Sequence, residues 1–231
     1  MARKKGKGGG KGKRAQQRAQ YDELDKYPVI PPHAFARIVR DKQTLNILYQ
    51  IIEPPLTKKE QEQREEIMDI FIRSLTANIE EIDADPDAYL RTALDKVIKS
   101  YGMKINKKSK SKMFYYLRRD LIGYGKMDML MHDINVEDIS LDGTNVPIFA
   151  YHRKFESIET TCVWETDQEL ESYVIKLAQR CGKHISVAEP LLDATLMDGS
   201  RIVMKLGREI STRGSAFCIR RFKDDPFSPA D

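Results

Sequence analysis

A chain of 231 residues, 41% hydrophobic and 32% charged, is long enough for one large domain or two small ones with a real core. Eight of its lysines and arginines fall in the first twenty residues, MARKKGKGGGKGKRAQQRAQ, which hold no acid; without them the formal net charge of +4 becomes about −4. The body is therefore mildly acidic, which excludes a basic nucleic-acid-binding domain. The short apolar runs exclude a transmembrane helix, and three scattered cysteines (Cys162, Cys181, Cys218) suit a reducing cytosol rather than a disulfide framework.

The Gly/Lys/Arg tail carries too little apolar surface to offset chain entropy, and disorder is expected over residues 1–20. Ordered structure is expected from about YPVIPP, at Tyr27. HAFARIV and TLNILYQIIE, rich in β-branched and aromatic residues, flank the polar stretch Arg40-Asp41-Lys42-Gln43 and predict a β-hairpin. TKKE pairs Thr57 as helix cap with Glu60. The helix that follows turns Ile67, Ile70, Phe71, Leu75, Ile79 and Ile82 to one side. Asp85-Pro86 opens a second helix with Tyr89, Leu90, Ala93, Leu94, Val97 and Ile98 inward, closed at Gly102. NKKSKSK reads as a lysine-rich loop before a third helix carrying Met113, Phe114, Leu117 and Leu121 to a stop near Gly123.

The rhythm then changes. VEDISLDG, VPIFAYH and ESIETTCVW are strand-like, and TDQE caps a helix (Thr166 with Glu169) that ends at Gly182. LLDATL and RIVMKLG meet at Asp198-Gly199, a hairpin signal, and SAFCIRRF forms a last strand. The fold class is thus α+β: an N-terminal hairpin and three-helix bundle, then a mainly antiparallel sheet domain with a packed helix.

Met197 to Phe222 holds five arginines. Arg201 begins a strand, Arg220 sits late in another beside Arg221, and Arg208 and Arg213 flank the polar loop EISTRGS. Guanidiniums held on strand ends present a fork suited to phosphate oxygens. The bland reading is surface ion pairing with Asp193, Asp198 or Glu209. The histidines (His33, His132, His152, His184) lack metal-ligand spacing, and HDINVEDISLDG lacks the pattern of a calcium loop. GKGGGKGKR lacks the G-x-x-x-x-G-K-[ST] spacing of a phosphate loop, and Trp164 is expected in the core.

Three segments, VEDISLDGTNVPIFAYHRKF, LAQRCGKHISVAEPLLDATLMDGSRIVMKLG and RGSAFCIRRFKDDPFSP, together resemble the N-terminal region of archaeal type II/type IV secretion-superfamily ATPases, the motors of the archaellum and type IV pilus. IIEPPLTKKE is similar to that group's hairpin-to-helix junction, and the resemblance spans roughly Tyr27 to Pro229. It implies a cytoplasmic protein, peripheral to the inner face of the membrane. Residues 21–125 are expected to dock a partner, and residues 126–231 to cover the nucleotide site of the protein's own C-terminal ATPase domain. It further implies ATP and Mg2+ as ligands of the full-length protein, a homo-hexamer, and a polytopic membrane platform protein as partner. Arg201 and Arg220 match the family's catalytic, phosphate-contacting arginines, and Arg213 is a third nucleotide-binding candidate. Lys107, Lys108, Lys110 and Lys112, with residues 1–20, are then expected to face the platform or anionic lipid. The chain departs from the family in its Lys/Gly tail, in Met197 where proline often precedes Asp-Gly, and in ending before any phosphate loop. It is therefore expected to be an N-terminal piece that does not hydrolyse ATP alone. An alternative is a standalone adaptor whose basic tail binds nucleic acid or an acidic partner, with a steep salt dependence.

Overall fold

The computed structural model describes residues 20–74 and 85–222. The expectations for the basic tail and for Leu75, Ile79 and Ile82 lie outside the described residues. The fold is α+β. The elements run β1 (Tyr21–Ile30), β2 (Ala34–Asp41), β3 (Ile47–Ile52), α1 (Lys58–Ser74), α2 (Pro86–Ser100), α3 (Lys107–Leu117), α4 (Asp128–His132), β4 (Val136–Leu141), β5 (Pro147–His152), β6 (Glu156–Val163), α5 (Asp167–Arg180), β7 (Leu191–Thr195), β8 (Arg201–Lys205) and β9 (Ala216–Arg220). Two compact units divide the described residues: those up to Pro28 with Ala36–Ile51 and those from Asp133 on, and Val29–Phe35 with those of Ile52–His132.

The first unit is built on a sheet of order β1-β2-β3-β6-β5-β4-β9-β8-β7. Most neighbours are antiparallel, but β3 pairs with β6 in parallel, Leu48 opposite Glu159 and Tyr49 opposite Thr160. Alternation of side chains sorts the sheet into two faces. On the covered face one row runs Ile158, Ala150, Ile139, Ile219, Ile202, Ala194 across six strands, and every member is buried. Helix α5 supplies the matching apolar stripe with Leu170, Val174, Leu177 and Ala178. Trp164 fills the space between helix and sheet, its ring 4.8 Å from that of Tyr173 and edge-on to Phe217 at 6.0 Å. Each large apolar side chain so buried stabilises the fold by about 1.5–3 kcal/mol.

Strand β1 was not expected: it opens at Tyr21, ahead of YPVIPP. Its sequence, YDELDKYPVI, has the charge that an edge strand carries to discourage further pairing, and β1 is an edge of the sheet. Charge density had masked the strand.

The helical unit packs α1, α2 and α3 around Ile67, Phe71, Leu90, Leu94, Val97, Met113 and Leu117. Its ends form as their sequences dictate. The Asp85 side chain accepts from the Ala88 N–H at 3.0 Å. Gly102 takes φ +60° after α2, and the Met103 N–H donates back to the Ile98 carbonyl. The lysine-rich stretch is a correction: it is the first two turns of α3, not a loop. Asn106 caps it, accepting from the Ser109 N–H at 2.8 Å. Lysines are good helix formers, and the apolar signal starts only at Met113 because the first turns are largely solvated.

Glu60 ties α1 to α3. Its carboxylate accepts from the Thr57 N–H (2.8 Å), the Ser109 hydroxyl (2.8 Å) and Lys112 Nζ (3.1 Å), while the Thr57 hydroxyl accepts from the Glu60 N–H. These bonds, the Thr57 N–H foremost, hold the Glu60 pKa down at about 2. A depressed carboxylate pKa contributes stability above its ordinary value, which is lost as pH falls through the folded one. Urea midpoints measured from pH 5 to pH 2 are therefore expected to separate wild type from Glu60→Gln at the upper end and to converge at the lower end. A constant difference across that range sinks the assignment.

Candidate functional site

Among the described residues no helix of the same unit covers the other face of the sheet, which is mostly polar. One row reads Ser157, Tyr151, Asp138, Arg220, Arg201, Thr195 from β6 to β7. The next reads Glu159, Phe149, Ser140, Cys218, Val203, Asp193. Between them lies a shallow depression of about 510 Å³, lined by Tyr151, Asp138, Arg201, Val203, Cys218 and Arg220 among others.

Arg201 and Arg220 are direct cross-strand partners in the β8–β9 pair. Directly opposed residues on a sheet hold their Cβ atoms about 5 Å apart, and like charges in that position repel. Two carboxylates offset the repulsion. Asp193 accepts a two-pronged bond from Arg201, Nη2 to Oδ2 at 2.7 Å and Nε to Oδ1 at 3.1 Å. Asp138 accepts from Arg220 Nε at 3.1 Å. Both arginine side chains stay largely in solvent, 71% and 81% exposed. The Arg201 hydrogen bonds hold the Asp193 pKa below the usual carboxylate range and raise that of Arg201. Asp193 was foreseen as an arginine partner, and Asp138 was not.

Arg213 stands elsewhere. It lies in the β8–β9 loop, and Arg201 and Arg220 lie at the other end of that strand pair. Its carbonyl accepts from the Thr144 N–H at 2.9 Å, and its side chain is exposed. A side chain on Gly143 would strike that same carbonyl, which is why glycine stands there. Arg208 shares this end, donating to Asp167 at 2.6 Å at the start of α5. The structure thus brings two of the terminal arginines together and sets Arg208 and Arg213 apart from them. Of the four lysines, Lys107 and Lys108 are exposed on the first turn of α3. Lys110 pairs with Asp95, and Lys112 donates to Glu60 and to the Pro55 carbonyl at 2.7 Å.

A buried polar cluster escaped sequence reasoning. Asp133, 2% exposed, accepts from the hydroxyls of Tyr27 (2.7 Å) and Tyr49 (2.6 Å). The Tyr27 oxygen also faces His152 Nε2 at 3.0 Å. The Lys154 N–H donates to His152 Nδ1, which leaves the ring proton on Nε2, toward Tyr27. Burial lowers the His152 pKa and raises those of both tyrosines, with Asp133 adding to the rise. Arg221 turns away from Arg220 into this region, donating to the carbonyls of Asp133 and Val136. Burial pulls its pKa down, and the Asp133 carboxylate opposes that. These residues come from β1, β3, β5 and the loops before β4 and after β9, so no local motif announces them. Among the described residues no group of three or more His, Cys, Asp or Glu could hold a metal ion, and no helix is long and apolar enough to cross a membrane.

No family model matches the chain. Among curated proteins it is similar to three uncharacterised proteins of Methanocaldococcus jannaschii. With MJ1288 it shares 41% identity over 164 residues, 71% of this chain and 65% of that protein. With MJ0900 it shares 31% over 207 residues, 88% of this chain and 36% of that protein. With MJ0781 it shares 32% over 119 residues, about half of this chain and 16% of that protein. The chain therefore spans 65% or less of the length of these relatives. A solved structure, the VirB11 ATPase of the Brucella suis type IV secretion system, matches with a TM-score of 0.38 and 16% identity, covering 51% of this chain and 33% of that one. A likeness that slight carries no argument.

Proposed function

We propose that this chain is the N-terminal part of a hexameric motor ATPase that powers assembly of an archaeal surface filament or protein secretion. The observation that carries the reading is the pair Arg201 and Arg220, set side by side and largely exposed on one sheet face. Two adjacent, solvent-facing forks fit the oxygens of a terminal phosphate. The resemblance of the segments around both arginines to secretion-superfamily ATPases supports the same reading. ATP with Mg2+ would be held chiefly by a C-terminal ATPase domain, and bound ATP supplies the phosphoryl group that is transferred. The sheet unit would cover that site, Arg201 and Arg220 neutralising charge on the terminal phosphate; Arg213, at the far end of the same strands, does not join them there. The test is ATP turnover and nucleotide affinity of the longer protein, wild type against Arg201→Ala and Arg220→Ala. Normal turnover in both variants would withdraw the site.

The helical unit would dock a polytopic membrane platform protein at the cytoplasmic face, with Lys107 and Lys108 toward anionic headgroups and Lys110 and Lys112 behind them. Residues 1–20 would add about 1 kcal/mol per basic residue near such a surface. Flotation with phosphatidylserine vesicles at low salt is expected to carry the chain upward, and 0.5 M salt or deletion of residues 1–20 to abolish this. No flotation at low salt ends the lipid part of the proposal. The adaptor reading draws on the tail alone. On the open face Asp138, Asp193 and Glu159 balance Arg201, Arg220 and Lys205, an unfavourable surface for nucleic acid.

A further inference from the structure

The two arginines are not idle: each is held by a carboxylate of a neighbouring strand. Asp193 on β7 grips Arg201 through both of its oxygens, and Asp138 on β4 grips Arg220 through one. The two acids bracket the arginine pair from opposite sides, so the four side chains form a charge-balanced line over β4, β9, β8 and β7. We infer that Asp138 and Asp193 act as holding carboxylates, which keep the guanidiniums extended over the sheet and which an incoming polyphosphate must displace. This rests on the phosphate-contact reading above and adds a regulatory element to it.

The physical case is one of exchange. In the unliganded face each arginine already has an anion, so a phosphate gains only the difference between its own bonds and those it breaks. A monoanion replaces a carboxylate like for like and gains little. A di- or triphosphate carries several charges and can engage both opposed guanidiniums at once, because they stand about one strand spacing apart. The carboxylates therefore set a threshold that favours polyphosphate over singly charged anions. They also prevent the mutual repulsion of two unpaired arginines from splaying the forks apart when no ligand is present. After exchange, Asp138 and Asp193 are released beside the bound phosphates, and their repulsion promotes departure once charge leaves the site. Both acids are positioning residues: they act through the arginines and need not touch the reacting atoms.

The test uses pyrophosphate and the full 231-residue chain at low ionic strength, where exposed pairs are least screened. Exposed ion pairs of this kind correspond to roughly a two- to fivefold factor each. Asp193→Asn and Asp138→Asn are therefore each expected to tighten pyrophosphate binding by about that factor, and the double variant by the product. Glu159→Gln removes an acid from the same face two strands beyond Asp138 and is expected to change affinity less. Nitrogen-15 spectra of the arginine Nε–H groups supply the readout that a general field effect would not move. In the wild type, pyrophosphate is expected to shift the Arg201 and Arg220 signals, and Asp193→Asn to shift that of Arg201 before any ligand is added. Unchanged or weaker binding in the Asn variants, or an equal gain in Glu159→Gln, overturns the holding role. If Arg201→Ala and Arg220→Ala then still weaken pyrophosphate binding, the phosphate reading stands without it. Absence of pyrophosphate binding to every form at millimolar concentration overturns the holding role, while the phosphate-contact reading is decided separately by turnover of the Arg201→Ala and Arg220→Ala variants.

Discussion

On the reading proposed above, replacing Arg220 by alanine, alone or with Arg201, is expected to lower ATP turnover of the proposed motor by about a thousandfold or more, the usual cost of removing an arginine that meets the transferring phosphoryl group. Folding is expected to survive, which makes the experiment readable. Both arginine side chains are largely in solvent, and their partners Asp138 and Asp193 rehydrate when the arginine is removed. Arg→Lys variants sharpen the result. Lysine keeps the charge but not the fork, so Arg201→Lys is expected to retain the field and lose two-pronged contact, falling between wild type and alanine. A lysine variant with full activity would mean that the site needs only positive charge. Retained turnover in both alanine variants, with normal assembly, would return the cluster to surface ion pairing.

The second large effect is on stability. Asp133→Ala is expected to destabilise the sheet unit by about 2–4 kcal/mol, because it leaves the hydroxyls of Tyr27 and Tyr49 without their acceptor. Tyr49 is wholly buried and supplies the larger share, while Tyr27 keeps its contact with His152. For a domain of this size such a loss lowers Tm by about 5–15 °C. Tyr49→Phe alone is expected to cost about 1 kcal/mol. Combined with Asp133→Ala it is expected to cost less than the sum, since the orphaned hydroxyl is then gone. Strict additivity in thermal denaturation of the four proteins would show that the cluster is not a network.

Local signals carried most of the elements. The Thr57/Glu60 and Asp85 caps, the Gly102 stop and the Asp198-Gly199 turn each specify their geometry within a few residues, and each stands where the chain's chemistry puts it. Strand β1 and the start of α3 were hidden for one reason: both are rich in charge, and hydrophobic periodicity says little where the inward positions are few and largely polar. The site was half legible. Arg201 and Arg220 stood out as residue types, but their direct opposition depends on the β8–β9 register, and Asp138 comes to Arg220 from 82 positions away. Arg213, equally prominent in the sequence, lies at the far end of the same strands. The Asp133 cluster was illegible, because its members are single residues from five distant stretches.

The parallel junction of β3 with β6 has a bearing on how the molecule comes to be made. Strands β7 to β9 and β4 to β6 can pair with near neighbours in the chain, but Leu48 must find Glu159 and Tyr49 must find Thr160. Closing so long a loop is entropically costly and slow. During synthesis the N-terminal hairpin leaves the ribosome first, and β3 waits with an unpaired edge until more than a hundred further residues have emerged. In that interval the helical unit between them, with its own apolar cluster, can form without the sheet. The order of birth is thus hairpin, helices, then sheet, and the most aggregation-prone moment falls before β6 arrives.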